Sequence, residues 1–501
     1  MTRTAQPAPD TAARPAADDA VPPDATADDA VPPDATADDA VPPEEAADDA
    51  VPPGSAADEA AAPEAVGHGS RRLRAVIVVA VLAVGLLAVG GVVGLRDSST
   101  PASAPAPQTQ PESTAALDTA IADAQQRLRR LPRDYATWAS LGSAYLEKAR
   151  ITADPSWYPR AEGALRRSLD VRPAPNPAAL TGLGALANAR HDFPAGRDFA
   201  QRALAQNPYS ADAQGVLADA ETQLGHADAA TAAVQRMLDL RPALPALTRA
   251  SYDLEQHGRV DEATALMRRA LATAVDPADI AFCRYQLGEL AWNSGDLDTA
   301  AQHYDVGHRA DPDYLPLYQG RAKVAAARGD LPAALADYRT LTQRSPTPTY
   351  LLEYAELLRA ADRPTEAATQ LALADAAGQL FAANGGSDDL TTVTLALARG
   401  KPAEALAAAE REWKRRQFSD VADAMAQALH ANGRHAEALR YAEKASALGV
   451  RNAHFLYHQG VIEAALGRPD AARRSLSAAL ALNPHFSPVE APAARRTLAS
   501  L

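Results

Sequence analysis

The side chains best equipped for chemistry in this 501-residue sequence fall into two groups. In mid-chain, Tyr252, Tyr285, Glu289, Trp292 and Lys323 combine aromatic area with charges of both signs. Binding surfaces enrich such residues because they bury much area with little rotamer loss. The plainer reading of Trp292 and the tyrosines, and the favoured one, is packing between neighbouring helices. Near the C-terminus, Tyr457 stands with His454 and His458, whose four-residue spacing puts both imidazoles on one helical face. Such a pair can supply two metal ligands, but the sequence places no third, so a solvated surface is the expected setting and no metal is assigned. Tyr457 and His458 remain candidates for partner contact.

Catalytic constellations are missing. HExxH, P-loop and GxSxG patterns do not occur. Gly182-Leu-Gly184-Ala-Leu-Ala187 imitates a dinucleotide loop but lies inside a helical pattern with no strand before it, so helix packing explains its glycines. The single cysteine, Cys283, excludes an internal disulfide and a cysteine-based zinc cluster, and reads as a small buried helix residue. No nucleophile, acid, base or cofactor is assigned, and the chain is not expected to be an enzyme.

Charge is distributed unevenly. Residues 1–70 carry sixteen acidic side chains against Arg3 and Arg14, which accounts for the whole formal net charge of −14. The rest is balanced and gives no reason to expect nucleic-acid binding. Within the tail a ten-residue unit, DATADDAVPP and its variants, recurs from Ala17 to Pro53. Paired prolines forbid a continuous helix and nothing large and apolar is available to bury, so residues 1–70 are expected to be disordered. A spacer is the favoured role, and an acidic ligand for a basic partner the other.

Ala75 to Leu95 holds neither a charge nor a polar side chain. As a helix it would be about 31 Å long, enough to cross a bilayer, so residues 71–96 are expected to form one transmembrane span. Arg71, Arg72 and Arg74 flank its start, which places the N-terminal tail in the cytoplasm and the rest outside it. Ala102-Ser103-Ala104 leaves a cleaved signal peptide open if translation starts further along, although the apolar run is long for one. Gly90 and Gly94 form a GxxxG pair through which two spans can pack as a homodimer. Residues 97–114, rich in Pro, Ser and Thr, read as a linker.

Beyond the linker, helical periodicity takes over. Hydrophobic residues make up 47% of the chain but aromatics only 5%, which suits closely packed Ala- and Leu-lined helices. After a lone helix through Leu117, Ile121 and Leu128, the sequence reads Trp138-Ala-Ser-Leu141-Gly142-Ser-Ala-Tyr145, then Ala161, Leu165, Ser168 and Pro173. Later units repeat a turn glycine followed five residues on by alanine: Gly225/Ala230, Gly258/Ala263, Gly295/Ala300, Gly329/Ala334, Gly400/Ala405, Gly433/Ala438 and Gly467/Ala472, with Asp362/Ala367 standing in once. This pattern resembles the tetratricopeptide repeat of about 34 residues. The resemblance implies an all-α solenoid of helix pairs, about ten of them over residues 115–487, with residues 488–501 as a capping helix. Asn384-Gly385-Gly386 is expected to mark a kink between two sub-arrays.

In function the resemblance implies a concave groove, lined by the first helix of each pair, that holds a protein or peptide. The Lys and Asn by which some members clamp a terminal carboxylate are replaced by Ala139 and Ser143, Thr181 and Ala185, Gly215 and Asp219. The expected protein is a bacterial, membrane-anchored scaffold. A maturation factor holding a client polypeptide, as among membrane-bound cytochrome c maturation proteins, is the alternative. An accessory region of an enzyme is a lesser one, because no block outside the repeats remains to house chemistry.

Overall fold

The computed structural model describes residues 114–501, and among these every regular element is helical. The acidic tail, the stretch from Ala75 to Leu95 and the Gly90/Gly94 pair lie outside the described residues. Within the described residues no helix is long and apolar enough to cross a membrane. A leading helix, Thr114–Arg130, precedes ten antiparallel helix pairs, from Tyr135–Thr152 with Tyr158–Val171 to Ala453–Ala465 with Pro469–Leu482, and Glu490–Ser500 closes the series.

Local sequence sets each pair. In the fifth pair, Pro277–Asn293 with Leu297–Ala310, Gly295 ends the first helix in the left-handed region at φ 77°. The amide of Asp296 donates to Ala291 O, and the Asp296 carboxylate accepts from the Thr299 amide. One dipeptide thus satisfies both helix ends. Asp362 adopts φ 56° at the equivalent turn, where the β-carbon costs about 1 kcal/mol.

Packing follows a rule of one large residue between small ones. Leu165, fully buried on a second helix, fills the space beside Gly142 and Gly182, where an added β-carbon would sit 2.5 Å from its side chain. Tyr304 fills the corresponding space against Gly288 and Gly320. Alanines buried at 0% exposure, such as Ala161, Ala263, Ala300 and Ala405, let the helices of a pair approach closely. Burying each Leu-sized filler contributes about 2 kcal/mol, so an aromatic-poor sequence can still hold the array.

The array coils until its later pairs rest on its earlier ones. Arg190 Nε donates to Asn384 O at 3.0 Å, and the Ser387 amide donates to Arg190 O at 3.1 Å. Arg416 donates to Gln223, and Asn483 Nδ2 donates to Trp292 O at 2.8 Å. These side-chain contacts join residues 191 to 194 positions apart. The turns within pairs two to five therefore meet the junctions between pairs one superhelical turn later. The segment Asn384-Gly385-Gly386 is one such docking point, with Gly386 against the ring of Phe381. There it seats one turn of the superhelix upon another.

The turn glycines consequently divide into two sets. A β-carbon on Gly225 or Gly295 would lie 2.5 Å from the carbonyl oxygen of Gln417 or Leu482, and one on Gly258 would collide with that of Gly449. On Gly329, Gly400, Gly433 and Gly467 it would meet nothing within 4 Å. All share the left-handed backbone, so Gly433→Ala is expected to cost about 1 kcal/mol. Gly258→Ala and Gly295→Ala should cost at least twice as much in urea unfolding; equal costs would contradict the seam.

Candidate functional site

Most successive first helices contact one another, and polar side chains bridge them along the inner face of the superhelix, its lumen. Tyr304 and Lys323 both donate to Glu289, at 2.6 Å and 2.7 Å. Tyr285 donates to Gln319 Oε1 at 2.8 Å, and Gln319 Nε2 donates to Glu353, which also accepts from Tyr338 at 3.1 Å. One pair earlier, Arg249 binds Asp219 bidentately at 2.8 and 2.7 Å, with both side chains buried. Two opposed charges held in fixed geometry with further hydrogen bonds satisfy burial that neither could meet alone.

Other carboxylates of the lumen have no such partner. Glu255 accepts only from Asn293 Nδ2 at 3.2 Å, and burial, with Glu289 nearby, pushes its carboxyl up to about 7. Burial and the neighbouring Asp423 push Asp420 up to about 6, despite Arg416. Glu353 and Glu356 are also raised, chiefly by burial. Glu255, Glu353 and Glu356 are half-buried by water access, and Asp420 exposed, yet protein surrounds them all. The space is wet but enclosed, and desolvation disfavours their charge.

At the far end the chain occupies its own lumen. Phe486 packs against His454 and Tyr457, with ring centroids 5.0 and 5.7 Å apart. Glu490, the first residue of the terminal helix, contacts His454 Nδ1 at 2.7 Å and His458 Nε2 at 3.1 Å. His458 Nδ1 meets Asp423 at 2.9 Å, and Ser487 Oγ donates to Glu356 at 2.5 Å. Burial alone would lower the His458 pKa, but Asp423 and Glu490 hold it well above 6.5. Glu490, which burial would raise, is held far below the ordinary carboxylate range by the two imidazoles.

The structure separates the residues singled out from sequence. Tyr252, Tyr285, Glu289 and Lys323 are half-buried on first helices, and burial, with the charges of Asp420 and Glu255, pushes the Tyr252 hydroxyl well above its usual value. Trp292 is 7% exposed within a cluster that includes Tyr304, Leu317 and Val324, and Lys323 Nζ lies 5.5 Å from its ring centroid. Packing is its role here. The solvated setting expected for the histidine pair is corrected for His458, which is 7% exposed and held by two carboxylates. Asp423 and Glu490 come to it from elements 35 and 32 residues away, too far for local spacing to reveal. No group suited to a metal ion is found among the described residues.

The tetratricopeptide repeat profile matches residues 248–314, 320–380 and 424–485. Over those residues the chain carries tetratricopeptide repeats. No curated protein sequence matches it, and no catalytic family is indicated. Among solved structures, a thermophilic tetratricopeptide protein of Thermus thermophilus is 22% identical, with 34% of this chain and 91% of that one covered at a TM-score of 0.32. A tetratricopeptide protein from Parabacteroides merdae is 18% identical over 51% of this chain and 97% of that one, with a TM-score of 0.32. YrrB, described as a tetratricopeptide protein with an unusual peptide-binding site, is 16% identical over 40% and 97%, at 0.27.

In this helical array the histidine and carboxylate cluster fixes how the terminal helix responds to pH. With a folded pKa above 6.5, His458 stabilises docking fully below pH 6.5, and that contribution fades as pH rises through the folded value. Glu490 contributes fully above its ordinary 4.5 and loses that contribution as pH falls. Glu356, raised by burial and by Glu490, opposes docking when ionised. Hydrogen-exchange protection of residues 490–500, corrected for intrinsic rates, should be highest between those two values and fall severalfold by alkaline pH. His458→Gln should flatten the alkaline limb; an unchanged limb in that variant would contradict the assignment.

Proposed function

We propose that this is a single-pass membrane protein whose tetratricopeptide array, outside the cytoplasm, holds a segment of a partner protein in its lumen and catalyses nothing. The fold is one suited to binding proteins or peptides. The observation that carries the reading is the lumen over pairs four to six, where Tyr252, Tyr285 and Glu255 stay reachable by water between walls of protein. Enclosed polar and aromatic surface of this kind is costly to keep unless something uses it. The membrane part of the proposal rests on Ala75 to Leu95 and its three preceding arginines.

A photo-crosslinking residue placed at Tyr252 in intact cells is expected to capture a partner protein, whereas one at Arg269, exposed on a second helix, is not. Equal capture, or none at Tyr252, would sink the groove reading. A reporter fused after Leu501 is expected to be active outside the cytoplasm; activity only inside would overturn the orientation.

A further inference from the structure

We propose that the lumen over pairs four to nine receives a lysine- or arginine-rich, non-helical segment of the partner, an inference that rests on the groove reading above. The internal cations are already engaged. Arg249 is paired with Asp219, Lys323 with Glu289, Arg416 with Glu412 and Arg150 with Glu147. His454 and His458 are held by Glu490 and Asp423. Glu255, Glu353 and Glu356 have neutral hydrogen-bond partners: Asn293; Gln319 and Tyr338; and Ser487. Asp420 stands exposed in the first turn of its helix.

These carboxylates follow one another along the first helices: Glu255 is tied to Asn293 on the next first helix, Glu289 to Lys323 and Glu353 to Gln319 across the two that follow, and Glu356, one turn beyond Glu353, to Ser487. A row spread over several pairs does not converge on one point, so it fits separate ammonium or guanidinium groups along a chain better than a single metal ion. Aromatic faces accompany it at Tyr252 and Tyr285, and the position of Lys323 over Trp292 shows that this wall accepts a cation beside a ring.

A second observation is independent of charge. Phe486 and Ser487, in the non-helical stretch before the terminal helix, already lie against first helices at the far end, where Ser487 supplies a partner for Glu356. The lumen therefore admits irregular polypeptide, and the next carboxylate along the row, Glu353, marks where the chain's own segment leaves off. An acidic segment, including the residues 1–70 of this chain, would add like charge to the row and is repelled.

The test uses the full chain and two fluorescent peptides of about twelve residues, about 40 Å when extended, one alternating Lys and Ser and the other Glu and Ser. The cationic peptide is expected to bind, to be displaced by salt, and to bind at least tenfold more weakly to the combined Glu255→Gln, Glu353→Gln, Asp420→Asn variant. The acidic peptide is expected neither to bind nor to compete. Unchanged binding in the variant would place the peptide on the acidic tail and overturn the proposal, as would equal binding of both peptides. A thermal melt checks that the variant folds. If it does not, Glu255→Lys is used in its place, with at least a threefold loss expected and no loss overturning the proposal. Crosslinking from Tyr252 separates the two levels: capture of partner segments that are neutral or acidic overturns the charge proposal and leaves the groove reading standing, whereas no capture removes both.

Discussion

The structure depends on how closely the backbone of one superhelical turn can approach the next. At Gly225, Gly258 and Gly295 a turn inside one pair lies against the carbonyl of a junction one coil later, with no room for a β-carbon. Arg190, Gln223 and Trp292 add hydrogen bonds along the same seam. Without it, a solenoid held by nearest-neighbour packing has an open groove that water fills freely. With it, the groove becomes a lumen, and the electrostatics described above follow from that enclosure.

Enclosure sorts the polar residues by which partner lies one repeat away. Tyr285 with Gln319, Gln319 with Glu353, and Glu289 with Lys323 are each 34 residues apart, so successive first helices deliver them side by side. A cationic partner offsets burial, as Lys323 does for Glu289, whereas neutral partners do not: Glu255 beside Asn293 and Glu353 beside Gln319 both titrate above ordinary carboxylates, as does Asp420. The same logic in reverse keeps the imidazoles at the far end charged, because Asp423 and Glu490 surround His458.

Much of this was legible in the sequence where the cause is local. The glycine and alanine marks located the turns because a left-handed helix end and a close helix crossing are decided within a few residues. Gln319 and Glu353 carried no such mark, although their spacing from Tyr285 follows the repeat. The seam was not: whether Gly258 faces solvent, as Gly433 does, or the next coil depends on small rotations added over five pairs. For the same reason Asn384-Gly385-Gly386 read as a kink and His458 as solvated, although one docks on Arg190 and the other lies beneath the terminal segment. Trp292 shows the limit of composition, since a tryptophan on a first helix suits a groove and a core equally until its neighbours are known.

The direct test of closure is a distance measured in solution across the seam. Ala227 and Lys444 line one cavity between successive coils, of roughly 230 Å³, although they belong to the third and ninth pairs. Spin labels on Asp228 and Lys444, both exposed, can be read by pulsed electron resonance, with the buried Cys283 replaced by serine. A closed superhelix predicts one narrow, short distance that broadens and lengthens when Gly258→Ala and Gly295→Ala are introduced together. A long, broad distribution in the unsubstituted seam would contradict closure, and with it the enclosed lumen.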